Sequence, residues 1–188
     1  MTEVGELFLA YQIASRLAYV IWVGVALTRQ RHDQRFTRRD GVEAGFRRFR
    51  RTAALLMNND GVAFVALCLV TRGSLLLSPP LWVTVVEGSL LVLVGVSIKV
   101  WAAVRLGAGA YYWRNFFAPD EPVLLDPPGP YRFLKNPMYT LGYLQTYGLA
   151  LVFRSWPGLI AAAIAQAAIL AFHALVEKPH FDRLTGTA

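Results

Sequence analysis

The sequence of 188 residues contains little cysteine, histidine or charge. Its single cysteine, Cys68, excludes an internal disulfide framework. Charged residues make up 16% of the chain, against roughly a quarter in an ordinary soluble domain. The three histidines have no spacing typical of a metal site, and there is no paired CxxC, glycine-rich phosphate loop or GxSxG sequence. We therefore expect neither a metal site nor the usual nucleotide-binding or serine-hydrolase motifs.

The sequence is instead rich in long apolar runs. Apolar residues make up 55% of the chain, and stretches of about 20 mostly apolar residues are typical of transmembrane helices. The sequence predicts five spans, with four as the alternative because "MNND" at 57–60 interrupts the second. The predicted spans are residues 7–27, 52–70, 81–104, 138–153 and 158–176. We expect an all-α, polytopic integral membrane protein whose last two helices form a hairpin.

The placement of positive charge predicts how these spans are oriented. Nine arginines and only three acidic residues lie in the segment 28–51, between the first two spans. Nucleic-acid binding is one interpretation, but the flanking apolar spans favour a cytoplasmic loop that follows the positive-inside rule. The prediction is an N-terminus outside, a C-terminus and active site in the cytoplasm, and no nucleic-acid partner. In a bacterium the membrane would be the inner, plasma membrane.

The chain is predicted to be a single membrane domain, 1–188, in two parts. Residues 1–80 hold the first two spans and the basic loop, and residues 81–188 form the functional core. A second cytoplasmic segment, 105–137, interrupts this core and carries six of the ten prolines in its last part, 119–137. Because proline fixes φ and disfavours a helical predecessor, we expect a rigid, extended loop over the mouth of the bundle.

The predicted hairpin brings two polar segments together at the cytoplasmic side. The "SWPG" turn at 155–158 reverses the chain, so Asn136–Tyr139 should approach Glu177–His180. An aromatic-lined, partly polar pocket there suits a cationic or amphipathic ligand, because aromatic faces attract cations. For Tyr139 and Glu177 we favour a functional role. The other candidates are Tyr131, Arg132, Asn136 and His180, with Tyr111, Tyr112 and Trp113 favoured as an interfacial aromatic belt.

Ionisable residues inside the predicted spans also need partners. We expect Asp60, with Asn59, to pair with Arg16 across the first two spans. Lys99 is close enough to the inner end of its span to extend toward the interface. His173 lies one turn from Glu177 on the same helical face, and packing is its favoured interpretation.

Two stretches together resemble a known superfamily. The sequence "GPYRFLKNPMYTLGY" at 129–143, followed by "VEKPHF" at 176–181, is similar to the membrane methyltransferases. These comprise the phosphatidylethanolamine N-methyltransferases and the isoprenylcysteine carboxyl methyltransferases. The resemblance covers about residues 95–186 and is closer to the phospholipid branch, since the other branch usually has histidine where this chain has Asn136.

The resemblance implies an enzyme that uses S-adenosylmethionine to methylate a lipophilic acceptor entering from the inner leaflet. The phospholipid branch implies N-methylation of a head-group amine. Carboxyl O-methylation of an isoprenylcysteine-like or other small lipophilic acceptor is an alternative, as is an inactive binding protein, because Lys178 replaces the family's second glutamate. At the matching motif positions, the resemblance implies that Glu177 and Tyr139 are the catalytic residues. The implied cofactor contacts are Gly95, Gly129, Tyr131, Asn136, Tyr139 and Glu177.

Overall fold

The computed structural model describes residues 2–76, 79–120 and 136–184. All regular secondary structure in these ranges is helical, which confirms the all-α prediction. Short 3-10 turns at Arg114–Phe116 and Leu141–Tyr143 and a π-helical turn at His173–Glu177 accompany the longer helices. The α-helices are α1 (Glu3–Asp33), α2 (Arg35–Asp40), α3 (Val42–Val70), α4 (Leu81–Tyr111), α5 (Leu144–Val152), α6 (Trp156–Phe172) and α7 (Lys178–Leu184).

Four helical segments of the described chain are long and apolar enough to cross a membrane. They are Glu3–Asp33, Val42–Val70, Leu81–Arg105 and Trp156–Leu184. They contain four of the five predicted spans, including the second, whose polar interruption had made it the weakest. The architecture is thus that of a polytopic, all-α membrane protein.

The predicted fourth span, 138–153, is shorter than expected. Only α5, nine residues long, is α-helical there, and at about 1.5 Å per residue it reaches about 13 Å. That is less than half of the roughly 30 Å hydrocarbon thickness. The cause lies in the polar segment before it, where the amide of Gly142 donates to the Pro137 carbonyl at 2.8 Å and holds a turn in place of a helix.

The basic segment 28–51, expected as a loop, is mostly helical. Helix α1 continues to Asp33, α2 follows almost at once, and α3 begins at Val42. Gln34 and Gly41 separate the helices with φ values of 51° and 77°. Arginine is a good helix former, so the basic residues extend the helices beyond their apolar parts.

Glycines allow α4 and α5 to approach closely. A Cβ on Gly88 would lie 2.6 Å from the carbonyl oxygen of Gly148, and a Cβ on Gly95 would meet the backbone nitrogen of Gln145. Neither contact leaves room for a side chain, because the opposing atoms are backbone. This close seam fixes the position of α5, and with it the turn 136–143 that precedes it.

Substitution of Gly95 tests this seam. Gly95→Ala should destabilise the protein by about 1–3 kcal/mol, because a methyl group forced against the backbone must displace a whole helix. The measurement is the thermal midpoint in detergent. Gly61→Ala is the matched control, since a Cβ at Gly61 meets nothing within 4 Å. Equal midpoints for the two variants would contradict the close packing.

The C-terminal end of α4 bends back toward the bundle. Gly107 has φ 78° and ψ 157°, which interrupts the helical path, and Trp113 adopts a left-handed conformation with φ 57°. The bend places Trp113, Phe116 and Phe117 in the buried core. The segment predicted as a loop from residue 105 is therefore helical up to Tyr111, and residues 121–135 lie outside the described ranges.

Helices α5 and α6 form the predicted hairpin. The Ser155 side chain accepts from the Gly158 amide at 2.9 Å and caps α6 directly after the reversal. Further from the turn, the Tyr147 hydroxyl donates to Gln166 Oε1 at 2.8 Å, and Gln166 Nε2 donates to the Tyr139 carbonyl at 3.2 Å. These bonds place the turn containing Tyr139 against the last membrane helix.

Candidate functional site

A π-helical turn positions Glu177. In this turn, His173–Glu177, the amide of Lys178 donates to the His173 carbonyl, one residue further back than in an α-helix. The sequence provides a reason, because Pro179 has no amide hydrogen to donate to the preceding turn. Such turns are frequent at functional sites. Here the turn leaves the His173 and Glu177 side chains in direct contact.

Glu177 is held by two donors. Trp113 Nε1 donates to its Oε1 at 3.2 Å, and His173 Nδ1 lies 2.8 Å from its Oε2. The carboxylate side chain is only 13% exposed. One donor comes from the end of α4 and the other from the same turn as Glu177, so the position of the carboxylate depends on the tertiary fold.

His173 connects Glu177 to Asn136. The other ring nitrogen, Nε2, lies 2.7 Å from Asn136 Nδ2. An amide NH₂ can only donate and a carboxylate can only accept. The arrangement therefore fits a neutral imidazole that carries its hydrogen on Nδ1, donates to Glu177 and accepts from Asn136.

Tyr139 stands beside this cluster with an unused hydroxyl. Its side chain is 7% exposed, and its ring centroid lies 5.7 Å from that of His173. The hydroxyl is buried without a hydrogen-bond partner in the described part of the chain. Burial raises the pKa of the Tyr139 phenol, and the Glu177 carboxylate raises it further. Tyr139 is thus a neutral phenol close to the Glu177 carboxylate.

A cavity of about 440 Å³ adjoins the cluster. Trp113 and Tyr139 belong to its wall and also contact Glu177 and His173, respectively. The carboxylate therefore lies one side chain behind the cavity. Other aromatic residues of the wall are Tyr19, Phe64, Tyr111, Tyr112 and Tyr143.

The far side of the cavity is charged. Arg16 forms a buried ion pair with Asp60, which confirms that predicted partnership, and Gln12 Nε2 adds a hydrogen bond to Asp60 at 3.1 Å. Asn59 does not join Arg16; it donates to Ser15 at 2.8 Å. Lys99 also lines the cavity, with its ammonium 5.0 Å from the centre of the Tyr143 ring.

The structure brings together three predicted site residues: Asn136, Tyr139 and Glu177. It places Gly95 in the seam with α5, so packing alone accounts for this glycine. The remaining two predicted cofactor contacts, Gly129 and Tyr131, lie outside the described residues. The roles assigned to all six stay predictions.

His173 and Trp113 have surroundings that differ from the favoured sequence interpretation, and the candidate His180 has a packing contact. His173, expected to be a packing residue, bridges Asn136 and Glu177. Trp113 is 6% exposed and donates to Glu177, so it is not part of an interfacial belt. Buried His180 stacks on Phe116, with ring centroids 3.7 Å apart. For His173, its spacing of four residues from Glu177 could have indicated the contact between them. For Trp113, no feature of the neighbouring sequence indicated Glu177 as its partner.

Comparison with known proteins places the site in a family context. The family model described as phospholipid methyltransferase matches residues 83–188, more than half of the chain. The matched range contains all six predicted cofactor contacts, whereas Arg16 and Asp60 precede it. No solved structure matches the chain.

Curated relatives carry a consistent name. The chain is 31% identical over 148 residues to a phosphatidylethanolamine N-methyltransferase of Clavispora lusitaniae, which covers 73% of this chain. It is 30% identical over 192 residues to the enzyme of that name from Chaetomium globosum, which covers 96% of this chain. The matched regions make up only 17% and 20% of those relatives, so the chain spans a fifth or less of their length.

Proposed function

Because this chain belongs to the phospholipid methyltransferase family, we propose that it is a membrane enzyme that methylates a phospholipid head-group amine, with S-adenosylmethionine as donor. The observation that carries the proposal is the junction at Tyr139 and Trp113. There the half-buried Glu177 cluster meets a cavity with an aromatic wall. The cofactor would enter from the cytoplasm, and the acceptor would enter laterally from the inner leaflet.

The residues present fit the proposed cofactor. When bound, it supplies a methyl group on a positively charged sulfur. Glu177 provides a carboxylate for its ammonium or ribose hydroxyls, and the unpartnered Tyr139 hydroxyl provides a buried donor. The rings of Tyr139 and Trp113 provide faces that attract a cation. Asn136 bonds to His173 and so orients the ring that contacts Glu177.

The proposed chemistry requires alignment and the removal of a proton. Holding the two reactants in line contributes roughly 7–11 kcal/mol in favourable cases. The acceptor nitrogen must be neutral to act as a nucleophile, and burial lowers the pKa of an ammonium group. Glu177, directly or through a water molecule, takes the proton. His173 and Trp113 hold the carboxylate in place for this role.

The position of Lys178 supports an active enzyme over an inactive binding protein. Its ammonium lies 2.5 Å from Asp182, and its side chain is 62% exposed. The charge that replaces the family's second glutamate is therefore paired on the surface and takes no part in the bonds around Glu177.

Lys178 thus provides a further prediction. Lys178→Ala should keep turnover within about twofold of the parent protein, because an exposed ion pair contributes little. The measurement is methyl transfer in detergent–lipid micelles at saturating cofactor. A loss of tenfold or more would instead assign this position to the cofactor site.

A labelled-methyl experiment tests the proposed function directly. Membranes that contain the overproduced protein are incubated with methyl-labelled S-adenosylmethionine, and the labelled products are separated. Label in a phospholipid head group, stable to base, supports the proposal. Label released by base as methanol indicates a carboxyl ester and the alternative acceptor. No label above that of empty membranes, despite binding of the cofactor, supports the inactive protein.

A further inference from the structure

The charged side of the cavity contains more positive than negative charge. Of the residues that the structure describes, Arg16 and Lys99 line it together with a single carboxylate, Asp60. Arg16 satisfies that carboxylate through a buried ion pair whose side chains are 11% and 4% exposed. One cation is left over inside a membrane-spanning part of the protein, where an uncompensated charge is costly and usually functional.

Lys99 is that cation. Within the described residues it makes no hydrogen bond or ion pair, and its ammonium faces the Tyr143 ring at 5.0 Å. The Lys99 side chain belongs to the wall of the cavity. Its methylene groups pack over Gly142, where a Cβ would lie 3.1 Å from Lys99 Cγ. The fold therefore directs the ammonium into the cavity.

Two further polar groups support a ligand at this place. The Nε atom of Arg16 is buried with no hydrogen-bond partner among the described residues, and so is the hydroxyl of Tyr139. Both side chains line the cavity. A donor buried without a partner is costly. The unbonded Arg16 Nε and the unpaired Lys99 ammonium together suit an acceptor that carries negative charge.

We propose that this cavity holds the phosphodiester of the acceptor lipid, with Lys99 as its main contact and Arg16 beside it. The inference rests on the proposed function, which supplies a phospholipid acceptor. A phosphodiester carries one negative charge and several acceptor oxygens, matching the excess of one cation and the unbonded Arg16 Nε. Tyr139 lies between this charged side and the Glu177 cluster. An amine two carbons from the phosphate would thus extend toward the proposed cofactor pocket.

The proposal predicts selectivity for phosphate-bearing lipids. Purified protein in detergent, without cofactor, is titrated with phosphatidylethanolamine, phosphatidic acid and diacylglycerol of identical acyl chains. Bound lipid is counted by native mass spectrometry. The parent protein should prefer both phosphate lipids over diacylglycerol, and Lys99→Gln should reduce that preference about tenfold or more. Lys99→Arg should restore most of it.

Arg105→Gln is the matched control, because Arg105 is an exposed cation of the same helix that does not line the cavity. It should leave the preference unchanged. Equal preferences in Lys99→Gln and the parent protein would overturn the proposal, as would equal losses in Lys99→Gln and Arg105→Gln. Thermal midpoints establish that each variant is folded.

The binding assay does not depend on methyl transfer. Phosphate selectivity that depends on Lys99, combined with no methylation of any lipid, would overturn the proposed function and keep the phosphate site. Methylation of phospholipid with unchanged selectivity in Lys99→Gln would overturn the phosphate site and keep the proposed function. A loss of cofactor affinity in Lys99→Gln, with lipid selectivity intact, would assign the cation to the cofactor's carboxylate and overturn the lipid assignment.

Discussion

Glu177→Gln is expected to lower methyl transfer by about 100-fold or more, the range in which a positioned acid–base group contributes. The change keeps the shape of the side chain and the acceptor oxygen that Trp113 uses. The change removes the negative charge. It also replaces the oxygen facing His173 Nδ1 with an NH₂ group. Because that group can only donate, the contact with His173 is lost unless the histidine changes to its other tautomer. A proton can no longer be accepted, and the attraction for a cationic cofactor is lost.

The measurement separates these two losses. Turnover is determined with saturating phosphatidylethanolamine and a wide range of S-adenosylmethionine concentrations, and cofactor binding is measured by calorimetry. Glu87→Gln is the matched control, since Glu87 is exposed on α4 and lines no part of the cavity. Near-normal turnover in Glu177→Gln would remove Glu177 from the mechanism. If Glu177→Gln binds the cofactor weakly but regains normal turnover at high cofactor concentration, the role of Glu177 is restricted to holding the donor.

Asp60→Leu should destabilise the folded protein by about 3–5 kcal/mol, the cost of leaving one partner of a buried ion pair alone. Arg16 would remain buried at 11% exposure without its carboxylate, and Gln12 would lose the acceptor of its 3.1 Å bond. The pair joins α1 to α3, which makes it the main polar link of the N-terminal helices. The expected result is a lower midpoint in a denaturation titration by sodium dodecyl sulfate.

A double variant distinguishes an unpaired charge from a general defect of packing. Arg16→Met with Asp60→Leu should recover most of the lost stability, because replacing both partners with apolar groups of similar size is often neutral. A double variant no more stable than Asp60→Leu would show that the ion pair is not the source of the loss. The recovered protein should still bind phospholipid less selectively, since the Arg16 side of the proposed phosphate site is gone.

Most of the secondary structure could be predicted from the sequence. Apolar runs of the right length determined that the chain crosses a membrane as helices, because hydrocarbon offers backbone groups no other partner. The segments 28–51 and 105–111, expected as loops, are largely helical instead. The segment 138–153 differs in the other direction, since its apolar composition did not reveal that Pro137 and Gly142 hold a turn. The hairpin of α5 and α6 also followed from the sequence, since only three residues separate those helices.

The site was predictable only in part. The motif residues Asn136, Tyr139 and Glu177 could be expected to converge because the hairpin joins the segments that carry them. The role of His173 could not be separated from packing, because a histidine at helical spacing fits both. Trp113 could not be assigned to Glu177 at all, since its position depends on the break at Gly107 and a left-handed residue after α4.

The sequence by itself determined the class of protein, its family and the motif that marks one wall of the site. Composition and short motifs are local properties, so they can be interpreted without knowledge of the packing. Only the tertiary structure decided which buried charges are satisfied. The sequence predicted the pairing of Arg16 with Asp60, but it did not indicate that Lys99 lines a cavity. In the folded protein Asp60 pairs with Arg16, and Lys99 lines the cavity. The sequence alone could not show the second result, because charge pairing depends on distances between helices that are far apart in the chain.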